Sequence, residues 1–173
     1  MNGETENPLA KQLRDQQDDR DLATGRAGLE KDFIAAGKAQ APARLVEVWD
    51  LVQKYIKSYD AQRTAGTPSL RCPGRPPSFQ CIGANKFTAS FEGTTGLKEY
   101  ILRVTVGYHA MTSQNMHNPP KIQRSEWIYQ AYADDEDFWW RDPEGDKCTS
   151  ELVVHRATEA LGALITGADR SGR

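Results

Sequence analysis

Along Ser125–Arg141, SEWIYQAYADDEDFWWR, apolar and polar positions alternate on both sides of an acidic run, Asp134–Asp137. A period of two marks a strand with one buried face, so the stretch predicts two strands joined by a turn. Centring the turn on Asp135–Glu136 sets Ala133 opposite Phe138, Tyr132 opposite Trp139 and Ala131 opposite Trp140. One face then carries Trp127, Tyr129, Ala131, Ala133, Phe138 and Trp140. Small residues facing large ones suit a layer packed beneath a helix. The other face carries Glu126, Ile128, Gln130, Tyr132, Trp139 and Arg141.

The same period recurs earlier in the chain. Phe87, Ala89 and Phe91 interleave with Thr88 and Ser90, and GTTG at 93–96 turns the chain. In Leu97–Tyr108, Tyr100, Leu102, Val104, Val106 and Tyr108 share one face, while Glu99, Ile101, Arg103 and Thr105 share the other. Phe79–Ile82 adds a short first strand. Between these strands lie TPSLRCPGRPPS at 67–78, a proline-rich linker or long loop, and the loop His109–Lys121. Loops of that length inside a domain tend to be functional or mobile.

The period changes to helical in two places. Leu45, Trp49, Val52, Ile56 and Tyr59 recur at spacings of three and four, which places them on one stripe of a helix over Pro42–Thr64. Pro42 suits the first turn, where its missing N–H costs nothing. A second helix is predicted over Ser150–Thr166, with Thr149 or Ser150 as N-cap, Glu151 at its positive end, and Val154, Ala157, Leu161 and Leu164 as its buried stripe. Residues 1–41 have few large apolar side chains, and Gly25, Gly28 and Gly37 interrupt their helical preference. They predict a polar arm, flexible or partly helical. The expected fold is therefore α+β: an N-terminal helix, a four- to five-stranded antiparallel β-meander and a C-terminal helix, both helices packed on one sheet face. Residues 42–167 make a single domain, and 168–173 a mobile tail.

Charge adds little. The formal net charge is −2, which argues against a nucleic-acid partner. Residues 67–124 hold seven Lys/Arg against two Asp/Glu, and residues 125–173 hold five against eleven, a local asymmetry that suits charged turns. The N-terminal stretch lacks the apolar core of a secretory signal, and no run of 18 apolar residues is present, so the expectation is a cytoplasmic protein without a membrane span. Cys72, Cys81 and Cys148 fit no disulfide framework and no paired zinc motif. Reduced thiols are expected, with a Cys72–Cys81 bridge open on spacing alone.

Candidate chemistry is sparse. Phosphate-loop, dinucleotide, zinc-protease and nucleophile-elbow motifs are absent. The acidic residues Asp142, Glu144, Asp146 and Glu151 miss the calcium-loop spacing. Asp134–Asp137 reads as a solvated turn. His109 and His117, with Met111 and Met116 between them, have soft-metal donors but no cysteine or carboxylate to complete a set. Cys148 and His155 lack a third orienting group. No catalytic residue, metal ligand or cofactor site is assigned.

One surface remains. The outer sheet face sets Arg103, Tyr132, Trp139 and Arg141 together with Thr88, Ser90, Ile101, Thr105 and Ile128. Tyr, Trp and Arg are the residue types enriched at interface hot spots. Such a face either binds a partner, or makes ordinary cross-strand pairs, or lies under the N-terminal arm. The functional expectation is a non-catalytic protein-interaction domain that uses this face or the arm, toward a protein partner or as a homodimer. The alternative is a small-molecule-binding protein or enzyme with a pocket between the sheet and the 109–121 loop.

Overall fold

A computed structural model describes residues 8–66, 69–83, 87–108 and 125–166. The tryptophan hairpin forms as its alternation requires. Strands β6 (Ser125–Ala133) and β7 (Phe138–Arg141) pair antiparallel, with Ala133 opposite Phe138, Tyr132 opposite Trp139 and Ala131 opposite Trp140. Asp134 closes the turn, its carboxylate accepting from the amides of Glu136 and Asp137 at 3.0 and 2.7 Å. On the other side β6 pairs with β5 (Tyr100–Tyr108), β5 with β4 (Phe87–Thr95), and β4 with β3 (Ser78–Gly83), all antiparallel.

Among the described residues the sheet has eight strands, more than the four or five expected. The additional strands are β1 (Leu70–Arg71), β2 (Gly74–Arg75) and β8 (Lys147–Cys148). Each is two residues long, too short for alternation to register, and β1 and β2 lie in the stretch read as a linker. Proline breaks that stretch without preventing pairing, because only one edge of it meets β3. β8 folds back on β7 after a turn at Asp142–Gly145, where Gly145 takes φ +94°, a conformation that glycine adopts without strain.

Both helices pack on the face holding Trp140 and Tyr129. Leu45, Val48 and Val52 of α1 (Pro8–Gln62) meet Val153, Ala157 and Leu161 of α2 (Ser150–Thr166) in one core with Phe91, Leu102 and Val104. Burying each of the Val, Leu and Phe side chains among them contributes about 1.5–3 kcal/mol. The Trp140 indole N–H donates to Ser150 Oγ at 3.3 Å, which ties the core tryptophan to the start of α2. Thr149 caps that helix by accepting from the Leu152 amide at 3.2 Å.

The first helix begins at Pro8, where the stripe alone placed its start at Pro42. Pro42 removes one backbone hydrogen bond and ordinarily costs about 3 kcal/mol inside a helix. The helix continues through it because the chain is anchored on both sides. Ala41 and Leu45 are buried in the core, and Phe33 packs on Trp139 of the opposite sheet face. The crossing between faces occurs at Gly37. A Cβ there would stand 2.4 Å from the Ala131 carbonyl oxygen and 2.5 Å from Tyr132 Cα. Beyond Ile101–Gln130 the β5–β6 pairing ends, and α1 fills the space beside β6. Lys38 Nζ secures the passage by donating to the carbonyls of Gly96 and Leu97, each at 2.8 Å. The 109–121 loop and the 168–173 tail lie outside the described residues.

Candidate interaction site

Where α1 reaches the outer face, strand register has already assembled a cluster. Tyr132 and Trp139 are cross-strand partners, and their rings stack at 5.9 Å with 20° between planes. Phe33 meets the Trp139 ring edge-on at 5.9 Å. Lys147, brought in by β8, sets its Nζ 3.8 Å from the centre of the same ring, a cation–π contact. The Arg141 guanidinium lies 5.1 Å from the Tyr132 ring centre.

A hydrogen-bond network ties this cluster to α1. Arg141 Nη1 donates to Glu30 Oε1 at 2.8 Å and to the Tyr132 hydroxyl at 2.9 Å. The Tyr132 hydroxyl is also 3.2 Å from Glu30 Oε1, and Gln130 donates to Glu99 at 2.6 Å. Burial pushes the Tyr132 phenol up, with the Glu30 carboxylate adding to the rise and Arg141 opposing it. The phenol therefore stays protonated at neutral pH.

Three of the four expected binding residues thus come together, and the helix covers two of them. Tyr132 is 4% and Trp139 8% exposed, whereas the Arg141 side chain keeps 39%. Arg103 stands apart from the cluster, opposite Ile128 in register, and makes an exposed ion pair with Glu126 at 3.5 Å. Glu30, Phe33, Gly37 and Lys147 were not singled out as site residues from the sequence. The one available signal was the one-turn spacing of Leu29 and Phe33, which marks a single helix face.

Clefts flank this seat on both sides of α1. One of about 360 Å³ is bounded by Arg26, Leu29, Phe33, Trp139, Arg141 and Lys147. Another, of about 530 Å³, lies between Ala27, Ile34 and Ala35 of the helix and Leu97 of the β4–β5 turn. Every side chain from Gln12 to Asp32 is exposed, including Leu13, Leu22 and Leu29 at 57–61%. At about 1.5 Å per residue, the projecting part is roughly 30 Å long.

Cys148 is buried, with its Sγ 3.7 Å from Asp142 and 3.6 Å from Arg156 Nη1, and burial pushes its thiol up. His155 is exposed on α2 beside Glu159. Among the described residues no group of three or more His, Cys, Asp or Glu is placed to hold a metal ion, and no helix is long and apolar enough to cross a membrane. His109, His117, Met111 and Met116, and the pocket expected beside their loop, lie outside the described residues. Comparison of the chain with protein-family models, curated proteins and solved structures found no match.

Proposed function

We propose that this protein is a non-catalytic interaction module. Its contact element is the projecting half of α1, and the Tyr132–Trp139–Arg141 face is the seat that aims it. The single observation that carries this reading is the exposed helix from Gln12 to Asp32. Most helical stability in proteins comes from packing of an apolar face, which the exposed side chains of this stretch do not supply, and Gly25 and Gly28 weaken the helix further. A segment held in that form, with leucines facing solvent, supports a role in binding better than a role in the fold.

The reading also explains why the outer face is aromatic. Rigid rings and paired charges fix the direction of a long lever at its base. The test is a photo-crosslinking residue placed at Leu22, with a control at the exposed Lys57 on the same helix. Adducts with a macromolecule at Leu22 and none at Lys57 are expected. Equal yields at both positions, or none at Leu22, would show that the projecting half is not the contact element.

A further inference from the structure

We infer that the partner of the projecting helix is the same helix of a second copy, packed antiparallel about a two-fold axis through Leu22; this rests on the interaction reading above. Arg14, Asp18, Leu22, Arg26 and Glu30 follow one another at intervals of four, so they form one continuous ridge along α1. All five are exposed. Read forward, the ridge runs cation, anion, leucine, cation, anion. Read backward, it runs anion, cation, leucine, anion, cation.

Two such ridges laid side by side in opposite directions therefore match at every step. Arg14 meets Glu30 of the second copy, Asp18 meets Arg26, Leu22 meets Leu22, and the two-fold repeats both charge pairs. A parallel pairing in register would set like charges against each other at all four positions. Ridges spaced by four interlock at about −50° between helix axes, the commonest helix-packing angle, and an isologous contact of this kind closes at two copies.

The neighbouring row agrees with this geometry. Gly25 and Leu29 border the groove beside the ridge, and a Cβ at Gly25 would meet nothing within 4 Å in the single chain. Gly25 costs the isolated helix about 1 kcal/mol relative to alanine. In the pair it lowers the groove wall, so that a second backbone can approach. Glu30 is available although it holds Arg141. Both of its contacts use Oε1, and its side chain remains 54% exposed.

Exposed ion pairs are individually weak, so the pairing should be concentration-dependent and salt-sensitive. Sedimentation of the full chain should show a monomer–dimer equilibrium that weakens about tenfold between about 0.05 and 0.5 M NaCl. Asp18→Arg and Arg26→Asp should each weaken self-association by about tenfold or more. Mixed together, the two variants should form a heterodimer of wild-type strength, because all four charge pairs are then complementary. The Asp18→Arg/Arg26→Asp double variant should self-associate like wild type. All these positions are exposed, and unchanged unfolding temperatures would confirm that the fold is intact.

A wild-type chain that stays monomeric at low salt overturns the inference. So does a mixture of the single variants no stronger than either alone. In the Leu22 crosslinking experiment, an adduct of twice the chain mass supports self-pairing. Adducts of other masses alone overturn self-pairing and leave the helix as a contact element. The absence of any adduct overturns both readings.

Discussion

Arg141 and Glu30 are 111 residues apart in the chain, and Arg141 Nη1 lies 2.8 Å from the Glu30 carboxylate. The contact joins the last long strand of the sheet to a helix whose later turns, from Ala41 on, pack on the opposite face. It has the right position to orient the projecting segment, but its two side chains are 39% and 54% exposed. Pairs this wet are worth about 0–1 kcal/mol. The strength of the seat must therefore come from the aromatic contact beneath it.

Two variants separate these contributions. Glu30→Ala should cost less than about 1 kcal/mol in global stability. Trp139→Ala removes a ring packed against Phe33, Tyr132 and Lys147 and should cost about 3 kcal/mol. Amide exchange is the direct measure: residues 26–36 should lose protection in Trp139→Ala and keep it in Glu30→Ala. The opposite order would mean that the ion pair, not the ring, seats the helix.

Glycine substitutions along α1 should change sign with position. Gly25→Ala adds a methyl group where nothing lies within 4 Å, so it should stabilise the helix by up to about 1 kcal/mol. Gly37→Ala offers the same propensity gain but drives a methyl group into the backbone of Ala131 and Tyr132. Overpacking typically costs about 1–3 kcal/mol, and here strand backbone cannot swing aside. Chemical denaturation of the two variants would measure both; stabilisation by Gly37→Ala would rule out the close crossing.

That contrast shows where the sequence was legible. Alternation located β3 to β7, and the stripe at Leu45–Ile56 identified the face of α1 that is buried. The α2 boundaries followed from the cap at Thr149 or Ser150 and from Gly167, a natural helix stop. Gly37, however, reads in sequence as a helix breaker, and its real role depends on a strand that arrives 94 residues later, at Ala131. Pro42 misled in the same way, since a good first-turn residue hid a helix already 34 residues old. The outer face was readable as a set of residue types on one side of a hairpin. Cover by the N-terminal arm was one of three readings of that face; which residues provide it was not legible, because Glu30 and Phe33 sit in a stretch without sustained periodicity. Two-residue strands such as β8 leave no pattern at all, yet β8 delivers Lys147 to Trp139.

Acid should loosen the base of α2 first. Burial pushes the Asp142 carboxyl up, but the Asp146 amide at 2.9 Å and Arg156 at 3.2 Å outweigh it and hold the group below the usual carboxylate range. Amides of Asp137 and Glu136 hold Asp134 down similarly. A lowered folded-state value means stability that is fully present above the unfolded value, near pH 4, and lost as pH falls through the folded one. Unfolding temperature should therefore be flat from about pH 7 to 5 and drop below about pH 4. Asp142→Asn should lower it at neutral pH and flatten the acid limb. An unchanged acid limb in that variant would assign the pH dependence to other groups.

Oxidation offers a test of the proline-rich stretch. Leu70 opposite Gly83, Arg71 opposite Ile82 and Gly74 opposite Phe79 belong to one register, and the Gln80 amide donates to the Pro73 carbonyl at 3.1 Å. That register sets Cys72 directly opposite Cys81, at a position between ladder hydrogen bonds where Cα atoms approach to about 4.5 Å. Both thiols are free, and a bridge fits this separation. Burial, with Cys72 adding to it, pushes the Cys81 thiol up to about 12, and burial raises Cys72 as well. The thiolate is the reacting form, so bridge formation should be slow at pH 7 and accelerate with rising pH. Treatment with diamide, which takes two electrons and two protons from the thiols and becomes the hydrazine, should link Cys72 to Cys81 and leave Cys148 free. Peptide mapping after alkylation reads the outcome, and a bridge involving Cys148 would contradict the β1–β3 register.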